Sequence, residues 1–299
     1  MIAIAFALSS SLLYGTADFL GGFATKRLSV FVVAPISKLF AAIIITCVSF
    51  AYSPFSIASG DWPWLILAAF STVSAICCLY HALANGKMSV VAPLTGGCAI
   101  LLPALVSVLL GEVPGFWQIV GLLSAYLSIY LVSRPERIAT LAGAAAIPRP
   151  SHLKELLAPA NLTACAAGLS IGVFYISFQF VDPASGLWPL ALTRILGVLL
   201  LLGFLSLPLR KASASAPPPP LVTYSIAAGS GMLDGLANIF YVLALDAGDL
   251  VVAATLTSLY PATTMLLAAA LLKERLRSHH ILGLLFLVAA SGAFALAKG

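Results

Sequence analysis

The sequence predicts an all-α integral membrane protein with ten transmembrane helices, arranged as two inverted five-helix repeats around a central cavity. Its 299 residues are 61% hydrophobic and only 8% charged, with a mean hydropathy of +1.09, whereas soluble domains carry about 25% charged residues. Apolar runs close to the roughly 20 residues that cross a bilayer recur along the chain. Segments of the second half also match segments of the first.

In the first half, five apolar runs are separated by breaks that carry Gly, Pro, Asn or charge. The breaks are a Lys-Arg pair, a Pro-containing loop, an Asn-Gly-Lys turn and a Gly-Glu loop. The first run has no Lys or Arg before it and no small-residue cleavage site at its end, so we expect it to remain as helix 1. The predicted helices are at about 3–23, 30–52, 62–84, 88–110 and 115–133.

Five more apolar runs make up the second half. A Pro-rich loop at 213–220 separates its second and third runs. The longest polar interruption is 134–160, so we expect a first repeat at 1–133, a linker at 134–160 and a second repeat at 161–299. The predicted helices of the second repeat are at about 161–181, 186–208, 221–245, 250–272 and 279–297.

Basic residues are confined to alternate loops. Twelve of the fifteen Lys and Arg fall in loops 1/2, 3/4, 5/6, 7/8 and 9/10, and none falls in the other four loops. Because cytoplasmic loops accumulate such residues, we expect both termini outside a bacterial-type inner membrane, with Lys298 as the one exception. Spread over loops in this way, the charge of +5 does not form the single basic patch that nucleic-acid binding requires.

The two halves resemble each other. Residues 80–92 (YHALANGKMSVVA) match 241–253 (YVLALDAGDLVVA) at a constant offset. With one inserted residue, Glu112 then pairs with Glu274, and upstream Lys38 falls opposite Arg194. Each half has five spans, an odd number, so the second half is expected to be inverted relative to the first. Inverted repeats are typical of carriers that open on alternate sides of the membrane.

These features resemble the drug/metabolite transporter superfamily, EamA type. The resemblance rests on two five-helix repeats, a basic residue in the second helix of each (Lys38 and Arg194), and a Glu that closes the fourth (LLGE ending at Glu112, LLKE ending at Glu274). Within the superfamily the chain is most similar to bacterial exporters of aromatic and other neutral amino acids. The resemblance implies a substrate site in a central cavity between the repeats. Lys38 departs from the family pattern, in which an Arg is usual.

Polar residues inside the helices are the candidate site. Asp234, Asn238 and Tyr241 lie at i, i+4 and i+7 and therefore share one face of helix 8. A zwitterion needs both a cation and a carboxylate or aromatic face, and a cavity with several rings also suits a planar side chain. The candidate substrate-binding residues are Tyr14, Asp18, Tyr80, His81, Tyr175, Gln179, Trp188, Asp234, Asn238 and Tyr241.

Structural roles compete with this interpretation. Asp234 and Asn238 could form an interhelical clasp, and Lys38 and Arg194 could snorkel or pair with an acid. His81 lies near a helix end, and Trp188 could belong to the interfacial aromatic belt. We interpret Glu112 and Glu274 as anchors of helix ends. The five cysteines lack the spacing of a zinc site or a disulfide framework, so we expect buried free thiols.

The sequence therefore predicts a transporter that exports amino acids or related small metabolites by alternating access, without a metal or cofactor. An exporter of cationic drugs is the alternative, because Asp18 and Asp234 suit a cation. An intramembrane enzyme is disfavoured, because the four scattered histidines offer neither a Ser-His pair nor a metal cluster. A channel or scaffold remains a third class. The expected partners are the lipid bilayer and a small-molecule substrate; protons are a further candidate at Asp18, His81 or Asp234, although facilitated diffusion is equally compatible.

Overall fold

The structure is a computed structural model that describes residues 2–52, 54–109, 115–132, 157–205, 220–247, 256–257 and 259–297. Within these ranges the chain forms ten α-helices and no strand. The first five are α1 (Ile2–Thr25), α2 (Val30–Tyr52), α3 (Trp62–Asn85), α4 (Met88–Leu109) and α5 (Phe116–Val132). The second five are α6 (Pro159–Gln179), α7 (Trp188–Leu205), α8 (Leu221–Ala247), α9 (Tyr260–Leu271) and α10 (Ser278–Ala297).

Two helix starts differ from the sequence prediction by two residues: α6 begins at Pro159, inside the predicted linker, and α7 begins at Trp188 rather than at 186. The predicted start of helix 9 at 250 lies outside the described residues, and residues 256–257 and α9 from Tyr260 are helical. Residues 250–255 and 258 and most of the linker lie outside the described residues. Helices α3, α6, α7 and α9 each have a Pro in their first two positions. Proline is favoured there because its missing N–H would have no helical partner.

Five of the described helices have the length and composition of membrane spans. Helices α1, α2, α3, α6 and α8 contain runs of at least 20 residues that are apolar enough to cross a bilayer. The described parts of the other five contain shorter apolar stretches. Large apolar side chains also cover much of the outer surface, as in Phe50, Leu123 and Leu221. Such a surface is suited to lipid rather than to water.

Each half of the chain packs mainly against the other half. Helix α1 lies on α8 and α9, α3 lies on α6 and α7, α2 lies on α7 and α8, and α5 lies on α10. Small residues make the closest approaches: Gly15 of α1 faces the Tyr260 carbonyl, Gly168 of α6 faces the Thr95 carbonyl, and Gly231 of α8 faces the Ser37 carbonyl. Close contact through small residues is the usual way in which helices associate in membranes, where apolar burial gives little driving force.

Two carboxylates join loops at opposite ends of the bundle. Glu274, just after α9, accepts hydrogen bonds from the N–H groups of Met88 (3.1 Å) and Ser89 (2.9 Å) at the start of α4. Asp61, just before α3, accepts bonds from the Asp182 N–H (3.1 Å) and the Ser185 hydroxyl (3.0 Å) in the α6–α7 turn. We call the Glu274 end the basic end, because its loops carry the Lys and Arg residues, and the other the opposite end. The expected anchoring role of Glu274 is confirmed, whereas its counterpart Glu112 lies outside the described residues.

Candidate functional site

An ion pair lies in the middle of the bundle. The Arg194 Nη2 of α7 is 3.4 Å from the Asp234 Oδ2 of α8, and the two side chains are 9% and 26% exposed. The Arg194 Nε has no hydrogen-bond partner among the described residues. Asp234 is thirteen residues from the start of α8 and thirteen from its end, so the pair lies near mid-depth. Charges at this depth are costly unless they meet a partner or water.

Lys38 of α2 adds a second cation to this region. It is 2% exposed and lies within electrostatic range of both Arg194 and Asp234. Within the described ranges no carboxylate lies within 4 Å of its ammonium. Helices α2, α7 and α8 therefore bring two cations and one carboxylate together. Of the roles considered for the repeat partners Lys38 and Arg194, pairing with an acid applies to Arg194.

Asp18 and several tyrosines complete a polar cluster around the ion pair. Asp18 of α1 is within electrostatic range of Asp234, and Tyr14, one turn away, is within range of Asp234, Arg194, Tyr175 and Tyr241. Tyr175 of α6 is 47% exposed although it interacts with Asp18 and the buried Arg194. Tyr175 is thus partly exposed while charged side chains of α1 and α7 lie within electrostatic range of its hydroxyl.

Tyr260, the first residue of α9, also lies at this cluster but is not among the residues that the sequence predicts. Its ring packs edge-on against Tyr14, with centroids 6.2 Å apart and an interplanar angle of 61°. It also lies within electrostatic range of Asp18 and Tyr175. The signal was present in the sequence, because Tyr260 directly precedes Pro261, and a helix interrupted by Pro is typical of midplane sites in transporters.

Asn238 and Tyr241 occupy the predicted face of α8, but in different ways. Asn238 is buried, and its Nδ2 donates to the Asp234 carbonyl of its own helix (2.7 Å). Tyr241 is half-buried and lies near Tyr14 and Tyr175. Asp234 and Tyr241 thus face the cluster, whereas the Asn238 amide nitrogen donates a hydrogen bond to the backbone of its own helix.

Tyr80 lies on the basic side of this cluster, in a group of hydrogen-bonded hydroxyls. Its hydroxyl is 3.1 Å from the Ser37 Oγ of α2 and 2.9 Å from the Ser230 Oγ of α8. Ser230 also bonds the Ala17 carbonyl of α1 (2.8 Å), and the Tyr80 ring lies against Gly21. Tyr80 is only 3% exposed. In this conformation it joins four helices and presents no surface to a ligand.

Three other predicted site residues lie elsewhere. His81 is exposed near the end of α3 and lines an open groove of about 550 Å³ at the basic end, together with Lys26 and Asn85. Trp188 is buried at the opposite end between Phe50 and Phe55, with centroids 4.7 and 4.9 Å away. The side chain of Gln179 lies outside the described residues. The structure therefore brings neither His81 nor Trp188 into the cluster.

The described residues contain no group of three or more His, Cys, Asp or Glu side chains that could hold a metal ion. All five cysteines are free. They are not all buried, however, because Cys47 lies on an exposed face of α2. The cluster around the ion pair presents charges of both signs and aromatic rings.

Comparisons with known proteins agree with a chain of two corresponding halves. The sequence profile described as the EamA-like transporter family matches residues 1–134 and 158–295, one match for each half of the chain. A crystal structure of another protein superposes with a TM-score of 0.58 at 16% sequence identity, covering 98% of this chain and 96% of the other. At that identity the likeness is one of fold. No curated protein matches the chain.

Proposed function

Because the chain belongs to the EamA-like transporter family and is therefore a membrane transporter of small molecules rather than an enzyme, we propose that it exports neutral and aromatic amino acids. The observation that carries the proposal is the mid-depth ion pair of Arg194 and Asp234, set beside Asp18 and a group of tyrosines. A zwitterionic substrate presents one carboxylate and one ammonium group. The cluster offers a complement to each.

The substrate carboxylate is assigned to the cationic side of the cluster. The Arg194 guanidinium contacts Asp234 at one nitrogen and keeps other donors, and Lys38 is a second cation within range. The ammonium group is assigned to Asp18, which has no cation within 4 Å among the described residues. Binding of the zwitterion would thus compensate charges that the protein alone leaves incompletely paired.

The rings around these charges favour a planar substrate side chain. Tyr14, Tyr175, Tyr241 and Tyr260 come from four different helices and approach one another around Asp18 and Asp234. Tyrosine contributes a large contact area and a hydroxyl that remains hydrated. Such a lining accepts aromatic and other neutral side chains of different size more readily than it accepts a phosphate, which needs several convergent cations.

The proposed mechanism is alternating access by two inverted repeats, residues 1–133 and 161–299, joined by a linker at 134–160. The packing supports this proposal. If α1 to α5 correspond to α6 to α10, the contact of α1 with α8 corresponds to that of α6 with α3. In the same way the α1–α9 contact corresponds to α6–α4, and the α2–α8 contact to α7–α3. The basic end would face the cytoplasm of a bacterial-type cell, with both termini outside.

A cationic drug is the second candidate substrate. One observation favours it: Asp18 has no cationic partner in the described part of the chain and lies among tyrosine rings, which attract organic cations. On this alternative Asp18 is the anchor, and Lys38 and Arg194 serve only to hold the helices together.

Counterflow in proteoliposomes separates the two substrates. Labelled phenylalanine and alanine are compared with a labelled organic cation in wild-type protein, Asp18→Asn, Asp234→Asn and the control Asp182→Asn, an exposed acid in the α6–α7 turn. An amino-acid carrier gives saturable counterflow that falls by about tenfold or more in both site variants and is unchanged in the control. Counterflow of the cation alone, lost in Asp18→Asn, would establish the second candidate. Repeating the assay with an imposed pH gradient tests whether protons are coupled.

A further inference from the structure

Tyr80 closes the basic end of the bundle in this conformation. Asp234 and Ser230 are one turn apart on α8, and the Tyr80 hydroxyl bonds Ser230 on the basic side of the ion pair. The same hydroxyl reaches Ser37, the residue directly before Lys38. These contacts tie α3 to α2 and α8 on the basic side of the ion pair, and any movement that separates α3 from both helices there must break them.

The repeat gives Tyr80 a counterpart in Tyr241. The two tyrosines begin the matched segments 80–92 and 241–253. Ser37 has a counterpart as well, because Lys38 corresponds to Arg194 and the residue directly before Arg194 is Thr193. A hydroxyl residue followed by a basic residue therefore recurs in α2 and α7. Both partners of the Tyr80–Ser37 contact are thus duplicated in the other half.

In this structure the second pair is not joined. The Tyr241 hydroxyl has no hydrogen-bond partner among the described residues, and the Thr193 Oγ1 donates instead to the Pro189 carbonyl of its own helix (2.8 Å). Tyr241 lies seven residues beyond Asp234, about 10 Å toward the opposite end. One tyrosine is engaged on the basic side of the ion pair while its counterpart is disengaged on the other side.

We propose that Tyr80 and Tyr241 are two latches that close alternately, Tyr80 onto Ser37 at the basic end and Tyr241 onto Thr193 at the opposite end. This inference rests on the proposed alternating-access function and assigns the residues that gate it. The latches are unequal, because Tyr80 has a second hydroxyl partner in Ser230, whereas the corresponding residue for Tyr241 is Ala69. The state closed at the basic end is therefore the favoured one in the absence of substrate.

Cys77 is the reporter for the test. It precedes Tyr80 by one turn on α3, is half-buried, and lies within electrostatic range of Lys38. In a variant whose other four cysteines are replaced by alanine, a charged methanethiosulfonate is applied to one side of oriented vesicles at a time. The measured quantity is the rate of Cys77 modification from the basic end divided by the rate from the opposite end.

Tyr80→Phe is expected to raise this ratio about tenfold, since it removes two hydrogen bonds that exist only in the basic-end-closed state. Tyr241→Phe is expected to lower the ratio about threefold, and the double variant to fall between the two. Tyr126→Phe, the same change on an exposed face of α5, leaves the ratio at the wild-type value. Ser37→Ala reproduces Tyr80→Phe with a smaller perturbation and carries the test if the tyrosine variant does not fold.

Ratios that move in the same direction in Tyr80→Phe and Tyr241→Phe, or that do not move in either, would overturn the proposal. The readout needs no substrate. Opposite shifts without amino-acid counterflow therefore support the latches and refute only the substrate assignment. Counterflow without opposite shifts supports the transport function and refutes the latches.

Discussion

Breaking the Arg194–Asp234 ion pair should cost about 2 kcal/mol of coupling free energy. Two unit charges at the observed 3.4 Å interact by about 5 kcal/mol at an effective dielectric constant near 20 and by about 1 kcal/mol in bulk water. Asp234 is 26% exposed and the contact is longer than a charge-assisted hydrogen bond, so the value falls between these limits. Each single variant should lose more than this, because the remaining charge is left without its partner.

A double-mutant cycle measures this coupling. Arg194→Met, Asp234→Asn and the double variant are compared in their free energy of unfolding, by titrating mixed micelles with sodium dodecyl sulfate. Arg275→Met, in the exposed α9–α10 loop, combined with Asp234→Asn is the control pair and should show no coupling beyond about 0.5 kcal/mol. A coupling of Arg194 with Asp234 no larger than that of the control would refute the view that the pair holds α7 and α8 together across the site.

Three further predictions concern the same unfolding measurement. Glu274→Ala should lower the free energy of unfolding by about 2 kcal/mol, since it removes the charged acceptor of two hydrogen bonds from the start of α4. Glu274→Gln should lower the free energy of unfolding less, and an equal decrease in the two variants would contradict this prediction. Lys273→Gly should raise it by up to about 1 kcal/mol, because Lys273 has a φ of 56°, and a decrease would show that its side chain contributes more than the backbone costs. Gly231→Ala should lower it by about 2 kcal/mol or more, because the added methyl group meets the Ser37 carbonyl, whereas Gly229→Ala, which meets open space, should be neutral or stabilising.

Much of the fold could be predicted from the sequence because a bilayer imposes a simple rule. Any segment that crosses it must satisfy its backbone internally and present apolar side chains for about 20 residues. The bounds of α2 agree with the prediction, and α3, α8 and α10 are within two residues of it. The start of α6 was placed two residues late, because Pro159 reads as a breaker in the sequence although it serves as the first residue of the helix.

The site was only partly predictable. A polar or charged residue inside an apolar run is visible in the sequence, and Asp18, Asp234 and Tyr14 were identified on that basis. Which charges meet was not visible, since the contact between Arg194 and Asp234 joins two helices and depends on their rotation and depth. Asp61, buried beneath the α6–α7 turn, was missed because it reads as an ordinary loop acid beside a helix start.

The sequence by itself determined that this protein is a helical membrane protein whose two halves correspond, because hydropathy and internal similarity are properties of local segments. Only the tertiary structure decided which polar residues share a site and which hold helices together. Tyr80 and Tyr241 have the same position in the repeat, yet one is buried among serine hydroxyls and the other is half-buried near Tyr14 and Tyr175. Their difference arises from how the two halves pack in one conformation. The similar local sequences around the two tyrosines cannot specify that packing.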